Sequence, residues 1–534
     1  MAETVMAAIN RRAFIGGTIG GIVAAGLGVP IALSLQSAPT STGNLLTSRI
    51  PLPEPFRRRL TVPPVLAPVR TDASADHYLV RQQITRTEII PGTTTELWTY
   101  GGSFPGPTIE SRRGRSVIVT HVNELPVPTV VHLHGGRTPA KSDGYPIDFV
   151  LPSDMTYYNQ QLAHRDHASA GHSAMTAGGD VSEGQRTYAY PLEQRAATLW
   201  YHDHRMDFTG PSVWRGLAGF HLHRDDEEDA LDLPRGAREL PLMIVDRSFA
   251  ADGSLLYPSS DPTLVHEPGV MGDYIAGVLG DVMLVNGTPW PEARVDGAHH
   301  RLRLLNASNA RRLSLRLDPA PRGGIMQIGT DGGLLDAPLK HDHLVLAPAQ
   351  RLDVVVDFGG YPPGTVVTLR NDYGNGRMGE VMRFVVGDAV EDSFTMPDRL
   401  SSVAPAAETE SIATRAFHFR AGDIGERHGW LIGGQPFGAD EIVATVAAGS
   451  LEVWELFADF HHPVHLHGAS FQVLQRGSEG PGAFDFGWKD TIDLQPGEQA
   501  RIAVRFDTNP GKYVFHCHNL EHEDMAMMAN ILIR

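Results

Sequence analysis

Short runs in which apolar and polar residues alternate recur along most of the chain. RSVIVTHVNEL, LSLRLD, RLDVVVDF, TVVTLRN, SLEVWELF, ARIAVRF and ANILIR combine a two-residue period with β-branched content, the signature of strands with one face on a core. Turn pairs such as PG, DG, NG and GG separate them at roughly the spacing of β-sandwiches. Helical periodicity is scarce; GADEIV and DEEDALDLP offer at most short helices. The pattern predicts an all-β protein. Two shifts of composition divide it: acidic RDDEEDALDLPRGAREL, Arg224 to Leu240, reads as a linker, and so does the Ser-, Ala- and Pro-rich PDRLSSVAPAAETE, Pro397 to Glu410. Three segments of sandwich size result, residues 39–232, 233–396 and 397–534. Before them, PLPEPFRRRLTVPPVLAPVR (Pro51 to Arg70) reads as extended backbone crossing a surface. TVVHLHGG in the first segment is echoed by HPVHLHGA in the third, as expected of duplicated β-domains.

Length and charge narrow the class. A chain of 534 residues exceeds what one core can hold. With 45 Lys+Arg against 62 Asp+Glu the net charge is −17, which repels phosphate backbones and excludes nucleic acid as a partner. NRRAFIGG, Asn10 to Gly17, leads into a Gly-rich apolar run from Thr18 to Leu35 and then QSAPTS. Charged start, apolar stretch and small-residue exit predict an export signal over residues 1–38, and Arg11-Arg12 with Phe14 resembles a twin-arginine signal. That implies the twin-arginine machinery as a partner and a bacterial protein exported folded to the periplasm, cell surface or medium. An uncleaved anchor is the rival reading, weakened by the many glycines and Pro30. No other segment approaches membrane-spanning length.

One cysteine excludes an internal disulfide, so its position matters. It stands in HCHNLEHEDMAMM, with His516, Cys517, His518, His522 and Met527. Three further clusters are HLHG (His132, His134), WYHDHR (His202, His204) and HPVHLHG (His462, His465, His467). Residues two apart on a strand share a face, so each H-x-H pair offers two imidazoles to one site. Eight imidazoles suffice for a cluster of several metal ions, taking His465 and His467 from HPVHLHG. By the same alternation His516 and His518 face one side while Cys517 faces the other, so one strand joins two sites. Cys517, His462, His522 and a weak Met527 form the ligand set of a blue-copper electron-transfer site. FHLHR (His221, His223), His299-His300 and KHDH (His341, His343) are read as binding nothing, and AHRDHASAGHSAM (His164, His167, His172, Met175) as a polar loop.

At these residues the chain resembles the three-domain multicopper oxidases, in particular the bacterial group of spore-coat laccase, bilirubin oxidase and phenoxazinone synthase. H-x-H-G, H-x-H, H-P-x-H-x-H-G and H-C-H-x₃-H-x₄-M occur in order, and SFPGPTIE, SDGYP, LAPAQRLDVVVDF and GWKDTI extend the likeness. The resemblance implies three cupredoxin-like Greek-key β-sandwich domains and four copper ions. His132 and His465 would hold the type 2 copper, and His134, His202, His204, His467, His516 and His518 the type 3 pair. His462, Cys517 and His522 would hold the type 1 copper, with Met527 axial and His461 a neighbour, not a ligand. Asp143 and Glu523 match positions where relatives place carboxylates for the protons that dioxygen reduction consumes.

The implied reaction is one-electron oxidation of phenols or aromatic amines at the type 1 copper, coupled to reduction of dioxygen to water. The donor is expected at an exposed edge of His462, in a pocket formed by GSEGPGAFDFGWKD and GERHGWLIGGQPF. Trp430 and Trp488 are read as core residues that could border it. EDMAMMA is read as the strand carrying Met527. A monomer is expected, as for most relatives of this size. The rivals are a cuprous oxidase, disfavoured by only 15 Met, a copper nitrite reductase, which lacks the four paired motifs, and a copper-free scaffold of the same fold, opposed by the complete ligand set.

Overall fold

In the computed structural model each of the alternating runs is a strand, among them Ser116–Asn123, Leu313–Asp318, Arg351–Asp357, Leu451–Ala458, Gln499–Arg505 and Met528–Ile533. The structure describes residues 41–163, 178–406, 410–425 and 427–534, within one compact unit, Thr40–Arg534. The export signal and the loop with His164, His167, His172 and Met175 lie outside the described residues. Among the described residues no helix is long and apolar enough to cross a membrane.

The strands form three successive pairs of sheets. The first pair sets the sheet of Ala75–Thr87 and Ser116–Asn123 beside one containing Gly106–Arg112, Ala218–Arg224, Ala197–Asp203 and Val131–His134. The second is built around Glu239–Phe249, His299–Asn306 and Arg351–Asp357, and the third around Leu451–Ala458 and Gly511–Cys517. Each pair contains a parallel pairing bridged by a crossover: Ala75–Thr87 with Ser116–Asn123, Glu239–Phe249 with His299–Asn306, and Thr414–Ile424 with Leu451–Ala458. Apolar side chains fill the layers between sheets, such as Val119 and Leu133, Leu304 and Phe384, and Trp454 and Phe515. This is an all-β cupredoxin architecture.

The proline-rich segment runs over the surface as predicted. Its Phe56 and Leu60 amides donate to Trp290 and Glu292, and its Leu66 amide to Thr108, which ties the middle sheets to the first. The acidic stretch after Arg224 departs from its reading as a solvated linker. Asp226–Asp229 is a short helix, and Glu228 and Glu239 are buried among arginines: Arg301 and Arg303 donate to Glu228, and Arg303 and Arg224 to Glu239. Buried guanidinium groups on the facing strand require those carboxylates. GADEIV, by contrast, forms no helix; its β-branched end opens the strand Ile442–Val446.

Candidate metal centre

Two H-x-H strands lie side by side at each end of the site. Val131–His134 runs antiparallel to Ala197–Asp203 with His132 opposite His202, and His462–Leu466 pairs with Gly511–Cys517 with His465 opposite His516. The second histidine of three motifs falls just past its strand and is held there by its amide: His204 to Val130, His467 to Val514 and His518 to Pro463.

These elements bring eight buried imidazoles together, one from each predicted position: His132, His134, His202, His204, His465, His467, His516 and His518. His132 Nε2 and His465 Nε2 are 3.4 Å apart. His516 Nε2 lies 3.2 Å from both His204 Nε2 and His467 Nε2. The rings of His134, His202 and His518 face one another at 5.2 to 5.8 Å. Outward nitrogens are fixed by acceptors: His132 Nδ1 donates to Asp143 O at 2.6 Å, His202 Nδ1 to Asp203 O at 2.8 Å and His465 Nδ1 to Asp490 O at 2.9 Å. Their other nitrogens therefore keep lone pairs pointing inward. His134 Nδ1, His202 Nε2 and both ring nitrogens of His518 are buried without a hydrogen-bond partner among the described residues. Burial disfavours the charged imidazolium, pushing His202 down to about 3 and His204 to about 4 and holding His132, His134, His467 and His518 well below their usual range. Converging, neutral, unpartnered imidazoles are costly unless a metal occupies the space between them. The donor set fits copper.

The second cluster lies on the other side of the same strand. Cys517 Sγ is 3.4 Å from His462 Nδ1 and 3.6 Å from His522 Nδ1, and those two nitrogens are 3.2 Å apart. The Cys517 amide donates to the Met527 carbonyl, and Met527, fully buried, packs in the same core as Cys517. Burial pushes the thiol up, so it stays protonated unless a metal displaces the proton.

Asp143 and Glu523 flank the eight-imidazole cluster. Asp143 Oδ2 accepts from His467 Nδ1 at 2.7 Å, and burial pushes its carboxyl up to about 8. Glu523 Oε1 accepts from Thr209 Oγ1 at 2.7 Å, and its Oε2 lies 3.1 Å from His516 Nδ1. Burial opposes its charge, but the neighbouring His516 and His204, with hydrogen bonds from His516 and Thr209, outweigh it and draw the carboxyl down to about 2. Two acids with opposed environments suit opposite roles in proton transfer.

Several expectations need correction. Met527 is not in a strand: the helix Leu520–Asp524 ends beside it, Ala526 turns the chain at φ 77°, and the strand starts at Met528. His462 presents no exposed edge; it is fully buried and donates through Nε2 to Asp459 Oδ1 at 2.8 Å, leaving that carboxylate one-third exposed at 33%. The end of GSEGPGAFDFGWKD serves the other cluster, with Trp488, Lys489 and Asp490 lining a cavity that reaches His132, His465 and His467. Trp430 is buried and borders the cysteine cluster, stacked on His522 at 3.6 Å. His221 and His223 share Ser111, His341 contacts Gln327, and His299 Asp392. Sequence reasoning missed Asp459, although it stands only three residues before His462, and gave Asp490 no role within GWKDTI.

With this geometry in place, likeness to known proteins is informative. Two family profiles described as Multicopper oxidase match residues 82–177 and 407–534. A laccase of Bacillus stratosphericus is 35% identical, covering 89% of this chain and 98% of that protein. The bilirubin oxidase of Albifimbria verrucaria is 31% identical, covering 82% and 72%. The crystal structure of a laccase from Pediococcus acidilactici superposes with a TM-score of 0.76 at 31% identity, covering 92% of this chain and 96% of that one. The chain belongs to the multicopper oxidase family. Within it, the chain is a laccase-like enzyme, a copper-dependent oxidoreductase that uses oxygen.

Proposed function

We propose that the protein binds four copper ions and oxidises phenols or aromatic amines. His132 and His465 hold one ion, the triplets His134, His202, His518 and His204, His467, His516 hold a pair, and His462, Cys517 and His522 with Met527 hold the fourth. Bound copper supplies one-electron redox chemistry, coupling oxidation of the donor to reduction of dioxygen to water. The observation that carries this reading is the back-to-back placement of Cys517 and His516, 3.4 Å from His462 and 3.2 Å from His204 and His467. Their shared peptide is a covalent bridge between the clusters. Asp459 accepts from His462 Nε2 and keeps part of its carboxylate in solvent, where it can receive a donor's proton. Asp143 and Glu523, on His467 and beside His516, hold and pass protons to the buried cluster.

We read the chain as three domains, 39–232, 233–396 and 397–534, a reading supported by the three successive pairs of sheets, and as a monomer exported by the twin-arginine route. Oxygen uptake by the copper-loaded protein, with 2,6-dimethoxyphenol and with Cu(I) as alternative donors, tests the reading. Faster uptake with the phenol supports it, and uptake with Cu(I) alone reassigns the enzyme as a cuprous oxidase.

A further inference from the structure

We propose that Asp490, clamped by Arg351 from the middle sheets, is a positioning residue that selects which nitrogens of His134 and His465 face the metal cluster; the proposal rests on the copper reading above. Carboxylate and carbonyl oxygens only accept hydrogen bonds. Asp490 Oδ1 lies 3.1 Å from His134 Nε2, so that nitrogen carries the hydrogen and the buried, unpartnered Nδ1 keeps its lone pair. The main-chain oxygen of Asp490 lies 2.9 Å from His465 Nδ1, which leaves Nε2 free beside His132 Nε2. The two rings stack at 3.6 Å with an interplanar angle of 14°. One residue thus presents opposite nitrogens of two stacked rings.

The carboxylate is itself immobilised. Arg351 donates to both of its oxygens and Thr491 Oγ1 to Oδ1 at 2.9 Å. Arg351, fully buried, is held in turn by the carbonyls of Thr198, Ala349 and Asp331. Asp331 also pairs with Lys489 at 3.0 Å. Through the Thr198 carbonyl and His134, this ion-pair chain reaches the first pair of sheets as well, and it gives the middle pair, which supplies no residue to either cluster, a part in building the site. Gly135 fits this reading, since a Cβ there would lie 2.7 Å from Arg351 Nη2 and 2.8 Å from Asp490 Oδ2. His134, His465 and Asp490 also lie close enough together to suggest a cation between them. The guanidinium already neutralising that carboxylate argues instead for an outer support.

Copper content and electron paramagnetic resonance of copper-loaded Asp490→Asn test this without relying on turnover. The expected result is a retained blue signal from the Cys517 site, with the other copper bound about 10–100-fold more weakly and an altered non-blue signal. A purely structural ion pair would lower the unfolding temperature and leave both readouts unchanged. If Asp490→Asn does not fold, Arg351→Lys keeps the charge, loses the paired hydrogen bonds and carries the same expectation. Full copper content with an unaltered non-blue signal in the variant, beside normal uptake by the wild type, overturns this proposal alone. A folded wild type that takes up copper at neither cluster overturns the copper reading and this proposal with it.

Discussion

Cys517 and His516 are neighbours in sequence, yet their side chains belong to different clusters. The Cys517 sulfur faces His462 at 3.4 Å, while His516 Nε2 faces His204 and His467 at 3.2 Å each. The strand Gly511–Cys517 enforces this, because successive side chains leave opposite faces. Cys517→Ser should therefore abolish the blue colour and donor oxidation while the eight-imidazole cluster keeps its copper. Metal analysis with the visible spectrum checks this; loss of copper from both clusters would contradict it.

Asp143→Asn and Glu523→Gln remove protonatable groups without removing an imidazole. Each should lower kcat by about 10²–10⁴-fold, the range for a positioned acid or base. Copper content should stay intact, and steady-state oxygen uptake reads the loss.

The carboxylate of Asp459 is hydrogen-bonded to His462 and partly open to solvent. Asp459→Ala should cost a cationic aromatic amine about 1.5–3 kcal/mol in kcat/KM, the worth of a hydrogen bond to a charged group. A neutral phenol should lose less. Equal losses for the two donors would show that Asp459 acts only through His462.

Glu239 sits among Arg303, Arg224 and Arg301. Burial raises its pKa, but the arginines win and lower it from 4.5 to about 2. A lowered folded-state pKa contributes stability that is complete above the unfolded value and lost as pH falls through the folded one. Thermal unfolding temperature should therefore fall between pH 4.5 and about 2. Glu239→Gln should flatten that fall and cost about 3–5 kcal/mol at neutral pH, since it leaves buried arginine charge less compensated.

The convergence of the eight histidines was legible in the sequence because strand alternation and H-x-H spacing act over two residues. Arg351 and Asp490 stand 139 positions apart, and only the closing of the middle sheets on the last brings them together. Met527 was misplaced because an apolar run with Met and Ala looks like a strand, whereas the five-residue helix Leu520–Asp524 ends just before it. The burial of His462 was equally hidden, since Asp459 covers its outer nitrogen. The acids after Arg224 read as solvated because their arginine partners lie on the strand His299–Asn306.

In the proposed function, electrons taken from an organic donor at the Cys517 cluster reach dioxygen at the eight-imidazole cluster. The most direct test measures oxygen consumed per molecule of 2,6-dimethoxyphenol oxidised by the copper-loaded protein, with a parallel assay for peroxide. The expected result is a blue protein that consumes one dioxygen for every four donor electrons and releases no peroxide. A folded, copper-loaded protein that is colourless and consumes no oxygen with the donor would contradict it.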